Sequence, residues 1–290
     1  MRKFFNRIIP ILVILIGTAL LFYPYISEFL FEHRIDSEIA TYEDTLADVD
    51  TQMYDQMLED AIAYNKAMTE SQVQLTDPFL GPTDQIGDIE YNNLLAIDKT
   101  GIMGYVEVPA ISVYLPIYHG TETLTLERGI GHLEGTSLPV GGESTHSVLT
   151  GHTGLNKAKL FTDLTEVEVG DTFYIHVLGQ TLAYQVYDIS VVLPEDTSEL
   201  MIYDNKDIVT LVTCTPYSVN THRLLVHGKR IDYVEEEYEE AVEIGSKGTE
   251  SQWMSSYKKA IFIGLLIAII LIIILLLIEK IKQKVDSDKK

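Results

Sequence analysis

The stretch Val209-Thr210-Leu211-Val212-Thr213-Cys214-Thr215-Pro216 holds the only cysteine in 290 residues. A lone thiol closing a β-branched run is either a reactive nucleophile or a small buried hydrophobe. As a strand, the run alternates its side chains, so Ile208, Thr210, Val212 and Cys214 share one face. The turn-rich connection TPYSVNTH follows, and a second strand-like run, RLLVHGKRI, begins at Arg223. Antiparallel pairing of the two runs brings Cys214 and Arg223 together at one end of a sheet. A guanidinium there favours a thiolate and can hold developing negative charge. The competing reading makes Cys214 a structural core residue and Arg223 a surface charge.

A nucleophilic thiol also needs a proton donor for its leaving group, most often histidine. There are eight: His33, His119, His132, His146, His152, His176, His222 and His227. His33 adjoins an apolar terminal run, and His176 lies inside a strand-like run. His152 sits in Thr150-Gly151-His152-Thr153-Gly154, where the run Ser147-Val148-Leu149 ends, and can project over the end of a sheet. His222 adjoins Arg223. Spacing does not choose between His152 and His222.

The elements that would position these residues are mostly strands. From about Leu94 to Asp232, short β-branched and aromatic runs alternate with Gly, Pro and Asp turns. The pattern suits a closed or partly closed antiparallel barrel. Upstream, residues 36–68 read as a helix. Ile39, Tyr42, Leu46, Val49, Met53, Met57 and Ile62 form its apolar stripe, and Asp36 or Ser37 is its N-cap. Residues 75–89, LTDPFLGPTDQIGDI, are broken by two prolines and two glycines and read as a loop. Residues 233–259 read as an acidic, partly helical linker whose charges form a solvated face.

The chain ends set the compartment. Ile8–Ile26 and Ala260–Ile278 are uncharged runs of 19 residues, each covering roughly 28 Å as a helix, close to a bilayer core. The first lacks a small-residue cleavage site and reads as an uncleaved signal anchor, with a cleaved signal peptide as the alternative. Arg2, Lys3 and Arg7 precede it, and Lys280, Lys282, Lys284, Lys289 and Lys290 follow the second; Lys258 and Lys259 are the opposing pair. Both termini are therefore expected in the cytoplasm and the middle segment outside. The chain carries 43 Asp+Glu against 21 Lys+Arg, net -22, and all its acids except Glu279, Asp286 and Asp288 lie between the runs. That field excludes nucleic acid as a partner and favours basic ones. A single cysteine in an oxidising compartment cannot close an internal disulfide, which leaves a free thiol or an intermolecular bond. No metal-ligand spacing is recognisable, weak calcium binding by the acidic surface stays open, and no cofactor is implied.

Taken together, TGHTG, LVTC and an arginine nine residues past the cysteine resemble a sortase. The stretch Glu127–Pro139, ERGIGHLEGTSLP, and the following LFTDL at Leu160–Leu164 resemble the pilus-specific class C members, over about Asp77 to Asp232. The resemblance implies a mainly β fold: an eight-stranded barrel with an N-terminal helical region and a lid loop, flanked by two transmembrane helices. It implies a cysteine transpeptidase of a Gram-positive type cell membrane, catalytic domain outside. Such an enzyme cuts an LPXTG-like sorting signal between Thr and Gly, forms a thioacyl enzyme, and passes the acyl group to a lysine amine of another pilin subunit. Carried over, the nucleophile is Cys214, the histidine His152 and the arginine Arg223. Asp77-Pro78-Phe79 matches the lid motif, so Asp77 would pair with Arg223 and Phe79 would shield Cys214; an ordinary proline turn is the alternative.

The expected divisions are a basic tail and anchor (1–26), a helical region with the lid at about 75–82 (27–93), the barrel (94–232), the linker (233–259), the second span (260–278) and a basic tail (279–290). Three other functions compete. A housekeeping sortase would attach proteins to peptidoglycan, a membrane-bound cysteine peptidase would only hydrolyse, and a binding module would do no chemistry.

Overall fold

The computed structural model describes residues 2–71, 73–80, 91–97, 100–154, 158–246 and 252–287; the side chains of 2–15 and of scattered other helix positions lie outside that description. The chain divides into two units, Met1–Leu21 with Glu250–Lys290, and Phe22–Thr249.

In the larger unit, eight strands close a barrel in the order β1-β2-β3-β4-β7-β8-β6-β5. They are β1 (Ile102–Val108), β2 (Val113–His119), β3 (Ile130–His132), β4 (Thr145–Thr150), β5 (Thr172–Val177), β6 (Gln180–Val192), β7 (Asp207–Thr215) and β8 (His222–Ile231). The barrel is mixed and not purely antiparallel: β2 pairs with β3 and β4 with β7 in parallel. Composition cannot reveal this, because β-branched runs suit either direction. Odd positions of β7, such as Val209 and Leu211, join Leu149, Leu224 and Val226 in the main core. Even positions face the other way. Val212 packs with Val148, Leu225, Leu133 and Leu200 in a second, smaller apolar cluster, closed over by Leu75 with Val73 and Phe79.

The helical region differs from expectation at its boundaries. Helix α1 runs unbroken over Arg2–Ala47, so neither Asp36 nor Ser37 is a cap. The chain breaks after Ala47, and Asp50 caps α2 (Thr51–Glu70) by accepting from Met53 N at 2.8 Å. Ile35, Ile39 and Tyr42 are buried and belong to the main core, whereas Met53 and Ile62 are exposed. A short helix α3 (Thr123–Leu126) precedes β3. Helix α4 (Glu235–Ser246) turns its glutamates outward but docks through Tyr238, whose hydroxyl donates to Glu107 at 3.0 Å and whose ring meets Tyr174 edge-on. Half of the expected linker is thus seated on the barrel; residues 247–251 lie outside the described residues.

Both terminal apolar runs fall within helices, the first in α1 and the second in α5 (Gln252–Ser287). Among the described residues no helix is long and apolar enough to cross a membrane. The lid segment is described as far as Leu80; residues 81 and 82 lie outside the described residues.

Candidate active site

The site forms where three strands end. Strands β4 and β7 run parallel with a constant offset: Thr145 pairs with Asp207 and Thr150 with Val212. The ladder continues past β4, with Gly151 N donating to Val212 O at 3.0 Å and Thr213 Oγ1 donating to Gly151 O at 2.8 Å. His152 lies two residues past Thr150, and Cys214 two past its partner Val212. On the other side, the antiparallel β7–β8 register pairs Cys214 with Arg223 and Thr215 with His222. Gly151 has to be glycine for packing: a Cβ there would meet the Phe161 ring and Ile130 at 2.7 Å.

The segment before the barrel covers this end. Asp77 is 3 % and Arg223 8 % exposed, and they form a bidentate pair. Arg223 Nε donates to Asp77 Oδ1 at 2.8 Å and Nη2 to Oδ2 at 2.5 Å. Nη1 is spent on the carbonyls of Asn220 and His222. Asp77 O accepts from Leu80 N at 3.0 Å, which makes Asp77-Pro78-Phe79-Leu80 a turn. The Phe79 ring lies under the Arg223 guanidinium at 4.8 Å and beside the His152 ring at 5.6 Å. Leu75 fills the small apolar cluster next to it. Asp77, Phe79, His152, Cys214 and Arg223 therefore share one end of the barrel, with Pro78 buried in the covering turn.

Electrostatics in this closed arrangement differ from the sequence expectation. Burial pushes the Cys214 thiol pKa up; Arg223 pulls it down, and Asp77 pushes it up again. Burial wins, so Arg223 does not by itself yield a thiolate while Asp77 is in place. Burial also works against the Arg223 charge, but its hydrogen bonds to Asp77 and the Asp77 charge outweigh it and raise its pKa.

Other histidines are engaged elsewhere. His132 is bracketed by Tyr91 Oη (2.8 Å) and Ser137 O (2.8 Å), and His146 by Met201 O and Thr210 Oγ1 (2.7 Å each). Burial, chiefly, lowers each of these two to about 4. His119 meets Leu94 O at 2.7 Å and is also lowered by burial. His176 stacks on Tyr105 near Glu107. His227 lies between Thr210 Oγ1 (2.8 Å) and Glu199 (3.1 Å). Asp188, Glu199 and His227 have ligand atoms within 4.8 Å of one another, with His227 Nδ1 engaged by Thr210 Oγ1. Sequence reasoning missed Leu75, whose only signal was an apolar residue before the Asp-Pro turn, and the buried state of Asp77.

Comparison with known proteins agrees with this layout. Residues 106–231 match the sortase domain family. Streptococcus agalactiae sortase C1 superposes with a TM-score of 0.63 at 45 % identity, covering 69 % of this chain and 99 % of that one. A Streptococcus pneumoniae sortase C, whose structure is reported to bear on pilin substrate specificity, gives 0.62 at 43 % identity over 68 % and 97 %. Sortase D of Bacillus subtilis is 30 % identical over 44 % of this chain and 63 % of its own length, less than two thirds of that protein. The chain belongs to the sortase family and, within it, to class C.

Proposed function

We propose that this chain is a membrane-anchored cysteine transpeptidase that joins pilin subunits. The observation that carries the reading is that Cys214 pairs with Arg223 across β7 and β8, while the Phe79 ring touches both Arg223 and His152. Cys214 Sγ, as thiolate, attacks the Thr carbonyl of an LPXTG-like signal. Arg223, released by Asp77, faces the oxyanion. His152 donates its proton to the departing Gly amine, leaving a thioacyl enzyme. A lysine amine of a second pilin attacks that thioester, His152 takes up the proton, and the thiolate leaves as an isopeptide bond forms.

Two features support the pilus reading over peptidoglycan anchoring: the covering segment with Asp77, Pro78 and Phe79, and the likeness to sortase C structures. The two apolar runs, each in a helix and flanked outwardly by basic residues, support two membrane anchors with both termini cytoplasmic and the barrel outside. The test incubates the full-length protein with an LPXTG-type peptide and a lysine-bearing pilin. An isopeptide-linked product seen by mass spectrometry supports the reading. Hydrolysis alone, with the amine acceptor in excess, would assign the chain to the hydrolysing peptidases.

A further inference from the structure

Tyr217 lies in the connection between Cys214 and Arg223 and is 48 % exposed. Its ring rests against the backbone of Gly154, two residues past His152. A Cβ on Gly154 would come within 3.1 Å of Tyr217 Cε2 and 3.4 Å of Cζ. Gly154 also has φ +74, so this glycine answers both a backbone and a packing demand. The turn presenting Tyr217 is braced. Pro216 O accepts from Val219 N (3.0 Å) and Asn220 N (2.9 Å), and Asn220 O accepts from Arg223 Nη1 (3.2 Å). Ser218 and Asn220 hold φ values of 66 and 59, a conformation that costs free energy for non-glycine residues and persists where the surroundings impose it.

This ring therefore links the connection after β7 to the connection after β4, just beyond Cys214 and His152. Phe161 N donates to His152 O at 3.1 Å and Gly154 N to Thr162 Oγ1 at 3.1 Å. Phe79 touches the His152 ring itself, but it belongs to the covering segment. That segment has to leave before a peptide can reach Cys214, and its contact with His152 leaves with it. The Tyr217–Gly154 contact involves no described residue of the covering segment.

We propose that Tyr217 is a positioning residue: a strut that holds the His152 connection against Cys214 once Asp77, Pro78 and Phe79 have moved away. Its ring does this work and its hydroxyl does not, since the contact runs through ring carbons. The proposal rests on the transpeptidase reading above.

The test uses full-length protein carrying Asp77→Ala and Phe79→Ala, which removes the cover. In that background Tyr217→Ala lowers kcat for peptide cleavage about 10-fold or more, because small misplacements of an acid–base group are costly. KM and the rate of Cys214 alkylation by iodoacetamide stay within about two-fold, since Tyr217 touches His152's connection and not the thiol. Tyr217→Phe restores kcat to within about two-fold of the parent. If Tyr217→Ala unfolds the chain, Tyr217→Leu, apolar but without the ring, is read the same way. Unchanged kcat in Tyr217→Ala, a Tyr217→Phe as impaired as Tyr217→Ala, or a parallel fall in alkylation would each overturn the strut. Cys214→Ala separates this failure from that of the enzyme reading: if Cys214→Ala still cleaves, the transpeptidase reading itself is wrong.

Discussion

His152 and Cys214 each lie two residues past a paired position of neighbouring parallel strands, His152 past Thr150 and Cys214 past its partner Val212. Arg223 completes the group through the antiparallel β7–β8 register.

From that group, His152→Ala and Arg223→Ala should each lower kcat/KM for peptide cleavage by about 10²-fold or more, as positioned acids and oxyanion donors do. His222→Ala, level with Thr215, should lose far less. Steady-state kinetics on the full-length protein decide it. A dead His222→Ala beside a healthy His152→Ala would reverse the assignment.

The bidentate Asp77–Arg223 pair is buried, so desolvation of both ions offsets much of its attraction, and its weight lies in what removing one partner would leave behind. Leu75 and Phe79 add apolar burial, about 1.5–3 kcal/mol for a fully sheltered side chain. Asp77→Ala would strand the Arg223 charge if the cover stayed shut, a loss of about 3–5 kcal/mol. Opening lets water reach the guanidinium and caps that loss. Thermal unfolding should therefore show a loss of about 1–3 kcal/mol. Cys214 in Asp77→Ala with Phe79→Ala should be alkylated at least about 10-fold faster than in the native chain. Equal labelling rates would mean that the segment does not cover the thiol.

The same geometry makes closure depend on pH. Burial raises the thiol pKa in the closed state. A group whose pKa is raised in one state favours that state below its ordinary pKa and disfavours it as pH rises through the raised value. The contribution of Cys214 to closure is thus fully present below the ordinary thiol pKa and is lost as pH rises through the raised value. The midpoint of the alkylation–pH profile should fall when Asp77 and Phe79 are replaced by Ala. A midpoint that stays put would show that closure and ionisation are uncoupled.

His132 and His146 bind protons in the unfolded chain near the ordinary histidine range but only at about 4 when folded. The unfolded state therefore takes up protons first as pH falls. Stability drops between about 6.5 and 4, by as much as about 3 kcal/mol per histidine, and levels off below. Denaturant melts across that range check this; a flat profile would contradict the burial of these two rings.

Local features of the site were legible in the sequence, and nonlocal ones were not. The nearness of Cys214 and Arg223 follows from a hairpin, where nine residues fix the partner. The choice of His152 over His222 needed family resemblance, because a parallel β4–β7 pairing across many residues leaves no spacing signal. The acid at residue 36 and the serine beside it carry cap chemistry, yet α1 runs through them because helix-compatible residues continue on both sides. The pairing of Asp77 with Arg223 came from family resemblance, since local sequence offers only a proline turn, and the burial of that carboxylate shows only in the tertiary structure.

The central claim is that Cys214 is the acyl-bearing nucleophile, and intact-mass analysis of the full-length protein after brief exposure to an LPXTG-type peptide tests it most directly. The account predicts an adduct equal to the peptide's acyl portion through Thr, mapped to Cys214, released by added amine and absent in a folded Cys214→Ala variant. An adduct on another residue, or peptide cleavage by Cys214→Ala at close to the native rate, would contradict it.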